Sequence, residues 1–251
     1  MRRQKKKAKK MKLSVNILTW NNIGVLNDTL RNLALDLRNI PSEIIIVDNG
    51  STDGCQNIAI IKNNENLGIS IGKNQGIDKS RGEYVLLLDG DILYVPNSAN
   101  CLLAWLDEHL EEYAIGFYPN KFNTQKNTET QKHHEEYCHK LFEPKPHPQA
   151  IIFYGMFRRI LFTEQGICCS IDGEFGKPGY GWEDTDFFMQ MKAKGITQWA
   201  AGLNTSIGKY YHNINSSIRQ MGHDEYMRTS RKRAEYFKRK WTNSLTPILT
   251  N

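Results

Sequence analysis

Short apolar runs and turn-forming polar stretches alternate along this chain, and the periods of the apolar positions predict its elements. Leu13–Leu18 reads as a first strand and ends in the polar turn Thr19-Trp20-Asn21-Asn22. From Gly24 to about Leu37, Leu26, Leu30, Leu33 and Leu37 recur at spacings of three and four, which predicts an amphipathic helix capped by Asn22. The unit then repeats: Glu43–Val47 is a β-branched run that stops at Asp48-Asn49-Gly50-Ser51-Thr52-Asp53-Gly54, and Ile58–Ile61 reads as a third short strand. A helix follows whose Gly68, Gly72 and Gly76 share one face, with Lys73 and Asn74 flanking it within reach of a diphosphate. A glycine costs about 1 kcal/mol against alanine in a helix interior, so a bare face calls for the close approach of a strand or a ligand.

Tyr84–Leu88 is a run of five apolar residues, the mark of a strand buried on both faces, and it ends in Asp89-Gly90-Asp91. Pro96 and Asn97 open a helix running to about Glu112, with Leu102, Leu106 and Leu110 inward. Residues 119–149 are polar and rich in Lys, Glu, His and Pro, and read as an excursion from the core. Ala150–Phe157 returns as a strand. Gly179-Tyr180-Gly181-Trp182 leads into a helix with Glu183, Asp184 and Asp186 in its first turn and Phe187, Phe188 and Met191 on its buried side; Gly195 closes it. Ile196–Ala201 is the last strand, and the segment from Arg219 to Trp241 is helical.

Strands alternating with helices predict a mostly parallel sheet, and ligands of such sheets sit beyond the carboxyl ends of the strands. Thr19, Asp48, Asp53, Asp89 and Asp91 all map to that edge. An unpaired buried carboxylate is costly, so Asp89 and Asp91 belong at the exposed strand end, where an oxygen-only pair suits a hard divalent ion. Gly90 between them lets the backbone turn sharply and approach a ligand.

Charge divides the chain. Of 33 Lys and Arg, eight lie in residues 1–12 and eight in residues 219–240, leaving 17 in residues 13–218 against 24 acids. Basic ends on an acidic body can touch nucleic acid, an anionic membrane surface or an acidic acceptor, or be solvated surface. Three parts are expected: a disordered basic tail at 1–12, one domain over 13–218 (a nucleotide-side half, 13–95, and an acceptor-side half, 96–218), and a basic helical segment at 219–251. No apolar run reaches the ~18 residues of a membrane span, and the N-terminus lacks the apolar stretch of a secretory signal, so a cytoplasmic protein is expected. The five cysteines show no C-x2-C pairing and are expected as free thiols; His134 and Cys138 lack the second ligand pair that zinc requires.

Taken together, the motifs resemble the inverting GT-A glycosyltransferases, most closely glycosyltransferase family 2. The resemblance spans roughly residues 13–212 and rests on five stretches in register: Val15–Asn22, Ile46–Gly54, Asn66–Gly76, Leu88–Asp91 and Trp182-Glu183-Asp184. It implies a Rossmann-like, mostly parallel sheet flanked by helices. It also implies an enzyme that moves one sugar from a nucleoside diphosphate, UDP foremost, to an acceptor hydroxyl, a glycan first among acceptors. In that likeness Thr19, Trp20 and Asn21 line the nucleotide, Asp48 accepts from base or ribose, and Lys73 stands near the nucleotide. Asp89, Gly90 and Asp91 form the D-x-D element, with Asp91 the more direct ligand of Mn2+ or Mg2+ and His212 completing the metal site. Asp184 is the implied base, Glu183 holds an acceptor hydroxyl, and Tyr180 and Trp182 stack on a sugar ring. Family members often carry two acids in the second motif, whereas Asp48 is followed here by Asn49. Three other readings stay open beside this one: transfer to hydroxylated nucleic-acid bases, an inactive nucleotide-sugar-binding module, and a nucleotidyltransferase. The last would want a basic phosphate loop after the first strand, and Thr19–Gly24 holds no basic residue.

Overall fold

The computed structural model describes residues 10–92, 94–118, 144–176, 181–202 and 222–242. Eight strands make one sheet: β1 Leu13–Thr19, β2 Ser42–Asp48, β3 Ile61–Lys62, β4 Tyr84–Asp89, β5 Ala114–Tyr118, β6 Pro144–Pro146, β7 Tyr154–Arg158 and β8 Gln198–Gly202. Their order is β3-β2-β1-β4-β7-β5-β8-β6. The half formed by β3, β2, β1 and β4 is parallel throughout; β7 then runs antiparallel to both β4 and β5. The helices are α1 Ile23–Asp36, α2 Ile69–Lys79, α3 Ser98–Glu108, the short α4 Ile160–Thr163, α5 Glu183–Ala193 and α6 His223–Thr242.

The period of two in the strands sorts side chains into two cores. Tyr84, Leu86 and Leu88 of β4, with Leu13, Val15 and Ile17 of β1, face Leu26 and Leu33 of α1 and Leu102 and Leu106 of α3. Val85 and Leu87 point the other way, to Ile77 of α2, Leu161 of α4 and Phe187 and Met191 of α5. This is the three-layer α/β/α arrangement expected from the alternation, with mixed strand directions in its second half.

The glycine face of α2 is explained by packing. A Cβ at Gly72 would run into the Leu18 side chain, and one at Gly76 would lie 3.1 Å from Asn16 Cγ. The bare face lets α2 sit close on β1, where Asn16 donates to Ser80 Oγ at 3.0 Å.

Four expectations need correction. Ile58 and Ile60 are exposed, residues 55–57 form a 3-10 turn, and β3 contains only Ile61 and Lys62. The helix expected to reach Glu112 stops at Glu108, and Leu110, expected inward, is 73% exposed. Residues 144–146, read as part of an excursion, pair with β8 at the sheet edge, while the strand expected at Ala150–Phe157 begins only at Tyr154. Asn22 precedes α1, but its side chain makes no cap bond; Asp53, from the next loop, accepts from Ile23 N at 2.8 Å instead.

The basic C-terminal helix is anchored to the body by two buried or half-buried carboxylates. Asp186, fully buried on α5, accepts from Trp241 Nε1, Lys240 Nζ and Gln190 Nε2, each at 2.8 Å. Asp172 accepts from Tyr236 Oη at 2.9 Å and Lys240 Nζ at 2.7 Å. A carboxylate out of water is tolerated when its lone pairs are met in this way. Its place in the first turn reads as a charge complementing the helix dipole, but its partners make Asp186 the anchor of α6.

Candidate active site

The parallel register brings the expected residues to one edge. Thr19 pairs in register with Asp48, and Leu18 with Asp89, so β1, β2 and β4 end side by side. Here the loops after β1 and β2 are tied to each other. Asn21 sits at a positive φ of 54°, its N–H donates to Ser51 Oγ at 2.9 Å, and its Oδ1 accepts from Thr52 N at 2.8 Å. Asp48, almost fully buried, accepts from Ser51 N at 3.2 and 3.3 Å. Thr19 Oγ1 lies 3.4 Å from Cys55 Sγ. Thr19, Asn21 and Asp48 are thus built into the scaffold of the edge, and Trp20, half-buried, accepts from Asn22 Nδ2 through its carbonyl at 2.8 Å.

Asn49, the departure from the two-acid motif, is a hub. Its Nδ2 donates to Asn66 Oδ1 at 2.8 Å and Gly68 O at 3.2 Å, and its Oδ1 accepts from Asn63 Nδ2 and Leu67 N, both at 3.1 Å. An aspartate cannot donate, so an acid here would lose two of these bonds. Sequence reading missed this role because it depends on a loop 14 to 19 residues away.

At the end of β4, Lys73 is 3% exposed and donates both to Asp89 Oδ1 and to Ile152 O at 2.9 Å. Lys73 therefore neutralises the first carboxylate of the D-x-D element. Gly90 is required by its neighbour: a Cβ there would lie 2.7 Å from Thr19 Cβ and 2.8 Å from Leu18 O. The close approach inferred from the sequence is real, but the approaching group is β1. Asp91 is 9% exposed beside it. Among the described residues no group of three His, Cys, Asp or Glu converges for a metal ion. His212 and Tyr180 lie outside the described residues.

Glu183 and Asp184 open α5. Glu183 is buried, accepts from Gly181 N at 2.8 Å, and is pushed up to about 7 by burial, then by the charge of Asp184 and that of Asp89. Burial also raises Asp184, partly offset by bonds to Oδ1 from Thr185 N at 2.7 Å and Thr185 Oγ1 at 3.2 Å. The influence of Asp89 on Glu183 links this pair to the strand edge. Arg233 of α6, 5% exposed, donates to Phe175 O and feels the charge of Glu183. Nothing in the sequence singled Arg233 out from the other bases of its segment. Trp182 takes a positive φ of 74°, a costly conformation for a bulky residue, and its ring packs 5.0 Å from that of Phe237.

The family model "Glycosyl transferase family 2" matches residues 14–171. The chain belongs to glycosyl transferase family 2. Its described residues have the mixed α/β architecture of the GT-A type, and the chain spans about a quarter of the length of the curated relative it matches. A curated relative, the cholesterol galactosyltransferase of Borreliella burgdorferi, is 34% identical over 92 residues, a match covering 33% of this chain and 25% of that protein. Crystal structures of S. aureus TarS share the fold. TarS 1-349 is 18% identical with a TM-score of 0.52, covering 94% of this chain and 73% of that one. Its complex with UDP-GlcNAc is 19% identical with a TM-score of 0.53, covering 80% and 58%. Among the described residues of this family 2 glycosyltransferase, no helix is long and apolar enough to cross a membrane.

Proposed function

We propose that this chain transfers a single sugar from a UDP-linked donor to a hydroxyl of a glycan acceptor, with inversion at the anomeric carbon and Asp184 as general base. The observation that carries the reading is the carboxylate pair at the start of α5, with both pKa values raised and Glu183 within the field of Asp89 at the strand edge. Burial raises the pKa of Asp184, which makes it a stronger base for a hydroxyl proton, and general-base catalysis is typically worth about 10²–10⁴-fold. In the step itself the acceptor O–H gives its proton to Asp184. The acceptor oxygen bonds to the anomeric carbon, and the bond to the diphosphate breaks with its electron pair leaving on UDP. One base opposite the leaving group gives one displacement, hence inversion.

Donor binding falls to the edge formed by Thr19, Trp20, Asn21 and Asp48, with Lys73, Asp89 and Gly90 at the diphosphate end. Support for UDP comes from the TarS complex. The residues present fit a divalent cation in the way Mg2+ is usually held, by one or two carboxylates plus substrate phosphates. Asp91 and the second oxygen of Asp89 are the candidate protein ligands, with His212 as the candidate third, and Mn2+ is the alternative ion. Bound there, the ion would stabilise charge on the departing diphosphate. Glu183 holds the acceptor hydroxyl, and Trp182 and Tyr180 flank the acceptor sugar.

Calorimetric titration with UDP and UDP-GlcNAc, with Mn2+ and with chelator, tests the donor half. Metal-dependent binding supports the reading, and no binding under either condition overturns it. A nucleotidyltransferase would instead release diphosphate from a nucleoside triphosphate, which the same preparation can be assayed for.

A further inference from the structure

A basic concavity lies on α6, away from the proposed donor-binding residues of the strand edge. It encloses about 340 Å3 and is lined by Arg228, Lys232, Arg233, Tyr236 and Arg239, with Glu174 as its one acid. Arg228 is paired with Glu225 at 2.6 Å, whereas no described carboxylate forms an ion pair with Lys232 or Arg239. The groove therefore keeps a surplus of positive charge, although residues 13–218 carry more acids than bases.

A solvated helix face accounts for Arg228, Lys232 and Arg239, which are exposed, but not for Arg233. Solvated cations point outward and stay exposed, but Arg233 is 5% exposed at the inner wall of the groove. The helix that carries it packs on the segment leading into Glu183: the Trp182 and Phe237 rings are 5.0 Å apart, and a Cβ at Gly181 would lie 3.4 Å from Ser230 Oγ. The groove is also held in place: Asp186 and Asp172 fix Lys240, Trp241 and Tyr236, so the cations between them are carried on an anchored helix. Rigidly placed guanidinium groups are suited to phosphate oxygens, which they meet with several parallel donors.

We infer that this groove is an acceptor subsite for a phosphate group, so that the preferred acceptor is a phosphate-bearing glycan whose hydroxyl is presented to Asp184 and Glu183. The inference rests on the glycosyltransferase reading for its word acceptor, but phosphate binding in the groove is measurable without it. The donor's diphosphate is assigned to the strand edge, none of whose proposed donor-binding residues lines this groove.

The test uses glycerol phosphate as probe, titrated calorimetrically into the full chain held at saturating UDP and Mn2+ so that the donor site is filled. The variant carries Lys232→Glu and Arg239→Glu, both exposed and outside the proposed catalytic residues. Replacing two attractive contacts by repulsive ones should weaken glycerol phosphate binding by about tenfold or more, with UDP affinity within about twofold of wild type. Transfer should follow the same split: KM for a phosphorylated oligosaccharide rises in the variant, while KM for its dephosphorylated form does not. Absence of glycerol phosphate binding to the wild-type chain overturns the inference, as does equal loss of UDP binding in the variant, which would make the groove part of the donor site. A third arm uses phosphatidylcholine vesicles with and without phosphatidylglycerol. Charge-dependent vesicle binding that the variant loses and glycerol phosphate does not compete would make the groove a membrane contact and overturn the subsite. If UDP fails to bind at all, the proposed function falls while the glycerol phosphate titration without UDP still reports on the groove.

Discussion

The two sides of the site are built on opposite principles. On the donor side, Asn21, Asp48, Asn49 and Asp53 have their polar atoms committed to backbone and side-chain partners of the same edge. On the acceptor side, burial makes ionisation of Glu183 and Asp184 costly, and the charge of Asp184 adds to the cost at Glu183. The first side spends its polar groups on shape, so it can be rigid before any ligand arrives. The second keeps its carboxyls in an unfavourable state, which a proton acceptor needs and a scaffold does not. The comparison teaches that a motif acid at a sheet edge is not by itself a catalytic group; its partners decide.

The contrast is broken most directly at Asp184. Asp184→Asn keeps size and most hydrogen bonds but cannot take a proton, so transfer should fall by about 10²–10⁴-fold. UDP affinity, measured on the same variant, should stay near wild type. Normal turnover would remove Asp184 from its role.

Glu183 sharpens the comparison through pH. Its folded-state pKa is raised from 4.5 to about 7, so between these values the unfolded chain loses a proton that the folded chain retains. Stability linked to this group is therefore present below pH 4.5, declines as pH rises to about 7, and is flat above. Carboxyls held low, such as Asp172 and Asp107, slope the other way, so the informative quantity is the difference between wild type and Glu183→Gln. That variant should gain stability relative to wild type as pH rises through this window. Parallel denaturation curves across it would show that Glu183 is not buried as a neutral acid.

Gly90 tests the donor edge as a packed structure. Gly90→Val places atoms against Thr19 and Leu18 O, with overpacking of this kind costing about 1–3 kcal/mol, and chemical denaturation should read that loss. A fully stable variant would mean that the edge yields, contrary to a preformed cradle.

Much of this was legible in the sequence. The β1–α1, β2 and β4 periods gave the parallel half and its edge, because alternating or continuous apolar runs report burial directly. What was not legible lies in contacts between distant segments. Ile58 and Ile60 are apolar yet exposed: Ile58 N closes the 3-10 turn on Cys55 O at 3.1 Å, and Ile60 N reaches Ile46 O of β2 at 3.0 Å while its side chain stays in solvent. Lys73 was expected near a nucleotide and is found on Asp89, because a buried ammonium seeks the nearest carboxylate and only the folded chain says which that is. Arg233 and Lys240 looked like the surface of a basic helix; Phe175 O, Asp172 and Asp186, 54 to 68 residues away, draw them inward.

The smallest expected effect is at Asp53, and it asks whether the donor edge separates scaffold from binding. Its carboxylate accepts from Ile23 N at 2.8 Å and from Cys55 N at 3.1 Å, capping α1 from the second loop. Burial works against the charged form, but the bonds from Ile23 and Cys55 outweigh it and hold the carboxyl below its ordinary value. Asp53→Ala should therefore cost about 1 kcal/mol, as loss of a helix cap does, and lower Tm by a few degrees. Asn21 and Asp48 keep their own partners, Thr52 N and Ser51 N, so the loop retains two of its ties and UDP affinity should change by less than about threefold. A collapse of UDP binding in a variant that remains folded would show that the cap and the nucleotide share one carboxylate, and the division between a structural donor edge and a chemically poised acceptor side would then have to be redrawn around Asp53.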